Sequence, residues 1–339
     1  MKKLTLLFCL MVHLGLTAQP AFQPLQPVDG PGGSDYRHLD VRFRDFAASP
    51  EGYWLFEPAM PTPDTAPVVV FLHGYGGYNP MIYGKWIRHL VRKGNIVIFP
   101  RYQQSLFKPS TKEFAALAAQ GIRDALLRLQ EEGEIVPVVD QLAIAAHSYG
   151  GVIAADLAIS FQEKGIPQPK AMLLCSPGAS YLKGGILDSY TDMPSDVDLL
   201  IVVSEKDHVV GDKFGKRLYR EAAQVQRRNL LRQFRDKHGY PKMKADHNQS
   251  YCLDRAFDAG IRNYTSRRAL RISTLDVVDY FGYWKLFDAL LACTRSGEYC
   301  EFCFGDTAQQ RDLGNWSDGQ PLQKLEVTSP MPARQLDGQ

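Results

Sequence analysis

The stretch Leu142-Ala-Ile-Ala-Ala-His-Ser-Tyr-Gly-Gly151 decides how the rest of the chain is read. An apolar run ends in Ala146-His147-Ser148-Tyr149-Gly150, and small residues at helical spacing follow. Small residues two before and two after the serine let the backbone turn sharply from strand into helix. The serine hydroxyl then stands clear of a sheet, at the positive end of the new helix. Ala146 takes a position where glycine is the more usual choice. The extra methyl is tolerated in such turns, but it leaves open an ordinary strand–serine–helix connection.

Working outward, short apolar runs alternate with helical periodicity. The runs are 67–72, 96–99, 141–146, 171–175 and 199–203, with 229–234 as a final strand. Helical patterns fill 81–93, 111–131 and 150–162. Runs of Val, Ile and Leu without polar alternation predict strands covered on both faces. Helices between them predict a parallel sheet with right-handed crossovers. Upstream, Tyr36–Phe43 and Tyr53–Phe56 alternate and are split by Ser49-Pro50-Glu51-Gly52, which predicts an antiparallel hairpin. Residues 274–293 carry Leu275, Val278, Tyr280, Phe281, Trp284, Phe287 and Leu290 at helical spacing, and these aromatics read as core. No repeat or Ser/Gly linker divides the chain. The expectation is one α/β domain over 36–328, with a mostly parallel central sheet, helices on both faces and the hairpin in front. Residues 19–35 read as an extended, poorly ordered lead-in, and 329–339 as a loose tail.

Chemistry around the serine follows in chain order. In Val68-Val-Val-Phe-Leu-His-Gly-Tyr-Gly-Gly77 a buried strand ends in a glycine-rich loop. Acyl transfer needs N–H donors for a developing oxyanion, one from the residue after the nucleophile and one from this earlier loop. Tyr149 and Tyr75 are the candidates, through their main chains. His73 fits packing or hydrogen bonding of the loop. No Gly-Lys-Ser/Thr follows, so a phosphate loop is not indicated. In Leu199-Leu-Ile-Val-Val-Ser-Glu-Lys-Asp207, Asp207 lies a few residues past a strand and can orient a histidine. Glu205 sits too near the strand end, Asp212 reads as the start of a helix, and His208 as a solvent-facing loop residue. Two histidines, His238 and His247, complete the order Ser…Asp…His. His38 and His89 fit surface or structural roles. Tyr75, Tyr78, Tyr83 and Tyr149 fall near the expected mouth and suggest an apolar acyl or aryl pocket.

His73-Gly74-Tyr75, Asn79-Pro80, Phe99-Pro-Arg-Tyr-Gln103 and the serine elbow give the chain a family likeness. It resembles the α/β-hydrolases, and within them the chlorophyllase, bacterial cutinase and dienelactone-hydrolase-like branch. Asp236-Lys-His-Gly239, Ala245-Asp-His247, Asp279–Asp288, Cys293…Cys300 and Gly314–Gly319 resemble one subgroup of secreted bacterial hydrolases. The likeness covers roughly 65–328. It implies the α/β-hydrolase fold, with Ser148, Asp207 and His247 as nucleophile, acid and base. It also implies a disulfide between Cys293 and Cys300. It carries no substrate, because such sites diverge widely on one fold.

The 339 residues are 45% hydrophobic and 22% charged, which excludes a disordered chain and leaves one large domain or two ordinary ones. The formal charge is +2, without the clustered Lys and Arg of a nucleic-acid partner. Lys2 and Lys3 precede the uncharged stretch Leu4–Leu16, and Ala18 follows, so 1–18 reads as a secretory signal peptide. The stretch is shorter than the ~20 residues of a membrane span. Phe8 argues against a lipoprotein cut at Cys9. Without residues 1–18 the chain has 37 Lys+Arg against 37 Asp+Glu. Export, to periplasm or medium, favours disulfides and argues against zinc at Cys300 and Cys303. Cys175 reads as a buried thiol, while Cys252, Cys293, Cys300 and Cys303 allow three pairings by themselves.

The expectation is therefore an exported serine hydrolase acting on a small-molecule or lipid-like ester, needing no metal or organic cofactor. A hydrolase fold kept as a binding module, or one cleaving amide or acetyl-sugar bonds, satisfies the same motifs. Nothing in the pattern indicates an oligomeric state.

Overall fold

A computed structural model describes residues 20–107, 110–182 and 184–330. The expected signal peptide at 1–18 and the tail beyond 330 lie outside the described residues. The strands are β1 (Asp40–Asp45), β2 (Tyr53–Ala59), β3 (Thr65–Leu72), β4 (Ile96–Pro100), β5 (Val136–His147), β6 (Ala171–Cys175), β7 (Asp198–Ser204), β8 (Arg228–Gln233) and β9 (Glu326–Thr328). They form one sheet in the order β1-β2-β4-β3-β5-β6-β7-β8-β9. The pairs from β4 to β8 are parallel, while β1–β2, β2–β4 and β8–β9 are antiparallel. This is the α/β-hydrolase fold with its antiparallel hairpin in front.

The helices are α1 (Gly84–Arg92), α2 (Phe114–Glu132), α3 (Tyr149–Ile159), α4 (Lys213–Glu221), α5 (Tyr264–Ile272), α6 (Lys285–Ser296) and α7 (Ala308–Arg311). β3 explains why the apolar runs lack alternation. Val69 and Phe71 join a core with Trp86 and Leu90 of α1 and Phe287 and Leu290 of α6. Val68, Val70 and Leu72 join a second core with Ile122 of α2, Val152 of α3 and Leu218 of α4. Both faces of the strand are therefore dry, and each such side chain contributes roughly 1.5–3 kcal/mol of burial. The chain leaves β3 for β4 on one side and later adds β5 on the other. The carboxyl ends of β3 and β5 thus flank a crevice at a topological switch point, where open α/β sheets bind ligands.

Three differences from the sequence expectations have physical causes. Residues 20–35 have little regular structure, yet they are tied down rather than loose. Tyr240 N–H donates to Ala21 O at 2.7 Å, Gly32 N–H donates to Asp288 Oδ2 at 2.9 Å, and Val277 N–H donates to Gln23 Oε1 at 3.0 Å. Pro- and Gly-rich composition shows a lack of helix or strand, not a lack of partners. The expected helix at 274–293 begins as a π-helix, Val278–Trp284, before α6. Val278, Trp284, Phe287 and Leu290 are core as expected, but Leu275 is exposed. The hairpin starts at Asp40 rather than Tyr36, and β1 is an edge strand with no fully buried residue.

Candidate active site

β5 runs into α3 through Ser148, whose backbone sits at φ 56°, ψ −123°. A non-glycine residue at positive φ is strained, and such strain persists only where surrounding contacts enforce it. Here Ser148 N–H donates to Cys175 O at 2.9 Å, and Ser148 O accepts from Gly151 N–H at 3.0 Å and Gly178 N–H at 3.1 Å. Gly150 permits the tight turn. A Cβ there would lie 2.2 Å from Leu72 O, so α3 packs directly on the backbone of β3.

His247 follows β8 on a loop that returns to this point. Its Nε2 lies 2.9 Å from Ser148 Oγ, and its Nδ1 lies 2.7 Å from Asp207 Oδ2. Asp207, just past β7, has a fully buried side chain. Its Oδ1 accepts the N–H groups of Val209 and Val210 at 2.9 and 3.0 Å. Burial alone would raise the carboxyl's pKa. The His247 hydrogen bond, its charge and the two amides outweigh burial and hold the pKa below the usual value. Ser148, His247 and Asp207 thus form one continuous hydrogen-bonded line.

The rival residues are elsewhere. His238 pairs with Asp318 at 2.6 Å on the surface. Glu205 pairs with Lys206, and Asp212 stands at the start of α4, paired with Lys216 rather than capping the helix. His208 is exposed, as expected of a loop residue. His89 is buried against Asp288 at 2.8 Å, a structural role. His73 stacks on Tyr102 with ring centres 3.9 Å apart, and its nitrogens lie 2.8 Å from Gly74 O and Arg101 O. Burial lowers its pKa to about 4, and the neutral ring donates to one of these two carbonyls at a time.

The loop after β3 brings Tyr75 beside the serine, and Tyr149 opens α3. Among the described residues neither backbone N–H has an acceptor, and both residues border the same cavity. A Cβ on Gly74 would lie 3.1 Å from Ser148 Cβ, which shows how closely this loop meets the elbow.

Sequence reasoning missed a second polar line beneath the first. His147 is fully buried, and burial, then the charge of His247, push its pKa down to about 3, so its ring is neutral. Its Nε2–H donates to His247 O at 2.8 Å. Its Nδ1 accepts from the Tyr83 hydroxyl at 2.9 Å, and Tyr83 Oη accepts Gly74 N–H at 3.0 Å. One ring therefore connects the base loop, the elbow and the loop of Tyr75. His147 stood in the quoted motif, but its partners are 64 and 100 residues away.

A family model described as Chlorophyllase matches residues 31–180. That span holds the β3 loop, the serine elbow and the sheet that positions them. The chlorophyllases are α/β-hydrolases, in keeping with the fold described above. No curated protein matches the chain. Asp207 and His247 lie beyond the matched span, and their place beside Ser148 comes from the fold of the second half.

Ser148 and His247 open into a cavity of about 680 Å³. Tyr75, Leu106, Tyr149, Leu182, Val210 and Tyr251 are among its walls, and Phe107, Tyr181 and Tyr264 form an exposed rim. Of the four tyrosines expected at the mouth, Tyr78 and Tyr83 do not line it. Tyr83 is buried below in the His147 line, and the Tyr78 hydroxyl donates to Gln104 O. A hollow of about 730 Å³ between the β1–β2 turn and α2 contains none of these groups, so chemistry rather than size marks the site. Cys293 and Cys300 form the disulfide the resemblance implied, while Cys175, Cys252 and Cys303 are buried free thiols. Cys300 and Cys303 are thus not a zinc half-site. Among the described residues no helix is long and apolar enough to cross a membrane.

Proposed function

We propose that the protein hydrolyses carboxylic esters through an acyl-enzyme, with Ser148 as nucleophile, His247 as base and Asp207 as its orienting acid. Ser148 Oγ attacks the ester carbonyl while His247 Nε2 takes its proton. The carbonyl oxygen becomes an oxyanion and accepts the N–H groups of Tyr75 and Tyr149. The intermediate collapses, the bond to the alcohol oxygen breaks, and the imidazolium returns the proton to the departing alcohol. Water then attacks the acyl-serine, gives a proton to His247, and releases the acid with Ser148 restored. Asp207 keeps the Nδ1 proton in place and offsets the charge of the imidazolium.

The observation that carries this reading is the Ser148–His247–Asp207 line at 2.9 and 2.7 Å, opening into an apolar cavity. The fold and the family match favour ester chemistry over other uses of the scaffold. Export is part of the proposal. It rests on Lys2, Lys3 and Leu4–Leu16, and on a disulfide of the kind an oxidising compartment maintains.

The test is a panel of 4-nitrophenyl esters, anilides and acetylated sugars, run on wild type, Ser148→Ala, His247→Ala and His238→Ala. The expected result is turnover of esters, a loss of about 10⁴–10⁶ in kcat for the first two variants, and none for the third. Turnover by Ser148→Ala at the wild-type rate would overturn the proposal. So would loss of activity only in His238→Ala.

A further inference from the structure

One charged side chain at the cavity has no part in the chemistry above. Arg268 lines the cavity together with Ser148 and His247. Among the described residues none of the others that line the cavity is Asp, Glu or Lys, so Arg268 is the permanent charge among their mostly apolar and aromatic side chains.

Helix α5 puts it there and is itself anchored. Asn263 and Ser266 form a reciprocal cap at 2.8 Å in both directions. Asn263 Nδ2 donates to Gly76 O at 2.8 Å, and Thr265 Oγ1 donates to Tyr75 O at 3.4 Å. The first turn of α5 is therefore tied to the loop that carries Tyr75. Tyr264, Thr265 and Arg268 are spaced four and three residues apart, fall on one helix face, and all line the cavity. Arg267 and Arg271 line a neighbouring groove instead.

Among the described residues the Arg268 side chain has no ion pair or hydrogen bond. Arginines nearby do have carboxylate partners: Arg262 with Asp258 at 2.5 Å and Arg88 with Asp254 at 2.6 Å. The guanidinium acts electrostatically on the Tyr251 phenol, another cavity wall, as does the Asp246 carboxylate, which does not line the cavity and forms no ion pair with Arg268 among the described residues. Apolar walls favour a carbon skeleton. A planar guanidinium, exposed and without a protein partner among the described residues, matches one carboxylate, which it can take in a two-bond fork.

We propose that Arg268 binds an anionic group of the substrate, so that the preferred esters carry a carboxylate a few bonds from the scissile carbonyl. This rests on the ester-hydrolase reading above. The carboxylate belongs either to the acyl part or to the alcohol part, and the binding chemistry is the same.

The test compares kcat/KM on matched neutral and anionic esters. Mono-4-nitrophenyl adipate against 4-nitrophenyl hexanoate probes the acyl side. 4-Acetoxybenzoate against phenyl acetate probes the alcohol side. In one of the two pairs the wild type should favour the anionic member by about tenfold, as expected for a charge-assisted hydrogen-bonded pair. Arg268→Gln should abolish that preference, Arg268→Lys should keep part of it, and Arg268→Glu should reverse it. In Arg268→Gln the neutral esters should lose far less kcat/KM than the anionic ones. Added salt should shrink the wild-type preference. Equal rates on both members of both pairs would overturn the proposal while leaving ester hydrolysis intact. An equal loss on neutral and anionic esters in Arg268→Gln would overturn it too. No turnover of any ester would remove the reading beneath it.

Discussion

Replacing Asp207 by asparagine tests the geometry of the catalytic line at one atom. Asp207 Oδ1 is held by the N–H groups of Val209 and Val210 at 2.9 and 3.0 Å. An asparagine here has two orientations. Turning its NH₂ toward those amides would set donor against donor and forfeit two buried hydrogen bonds, at about 1–3 kcal/mol each. Its oxygen therefore stays on the amides, and its NH₂ faces His247 Nδ1. That nitrogen must then accept, which moves the ring proton to Nε2, opposite Ser148 Oγ. The ring can no longer take the serine proton. A wrong tautomer of this kind lowers kcat by about 10⁴, or roughly 5.5 kcal/mol, with KM little changed. Asp207→Ala removes the same carboxylate but leaves the tautomer free, so it should be no worse than the near-isosteric Asp207→Asn. The assay is kcat on a soluble ester, with calorimetric Tm as the control for folding. Retention of more than about a tenth of the wild-type kcat by Asp207→Asn would refute the reasoning. So would an Asp207→Ala far less active than Asp207→Asn. The same variant bears on acid stability. The folded pKa of Asp207 is depressed, so its contribution is present above the unfolded value, about 4, and is lost as pH falls through the folded one. Asp207→Asn should flatten that acid limb of the Tm curve.

Tyr83→Phe deletes the hydroxyl between Gly74 N–H and His147 Nδ1. It should cost roughly 1–3 kcal/mol of stability, and it should lower kcat more than it changes KM. A lower Tm with unchanged kcat would assign this line to folding alone. Asp279 is fully buried in the π-helix, and burial raises its pKa well above the usual value. The folded state therefore resists its ionisation, and wild-type stability should fall as pH rises from about 4 toward the folded value. Asp279→Asn lacks that slope, so its Tm advantage should widen between pH 4 and 8; a constant gap would contradict this. Cys293 and Cys300 close a loop with a separation of only seven residues. Replacing both by serine should cost roughly 2 kcal/mol in urea unfolding, and reduction of the wild type should give the same shift.

The parallel strands were legible because a strand such as β3, packed on both faces, leaves an unbroken apolar run. The elbow was legible because a tight strand-to-helix turn demands small residues at fixed offsets, and Gly150 shows why. Strand β9 was not legible, since three residues, Glu326–Thr328, make no pattern. The π-helix was not legible, because seven residues are too few to separate its period from that of an α-helix. Helix α5 is largely exposed, and its nine residues, rich in arginine and hydroxyl side chains, bury only Ser266 and Ala269. His247 and His238 both follow Ser148 and Asp207 in order. Only the fold puts one beside the serine and the other beside Asp318. The His147 line is built from contacts across distant segments, which local pattern does not record.

The central claim is that Ser148 is an activated nucleophile. Labelling with a fluorophosphonate, read by intact mass and peptide mapping, tests this most directly. The account predicts one adduct per chain, located on Ser148, with its formation slowed in His247→Ala and absent in Ser148→Ala. An unlabelled wild type, an adduct on another residue, or equal labelling of Ser148→Ala would contradict it.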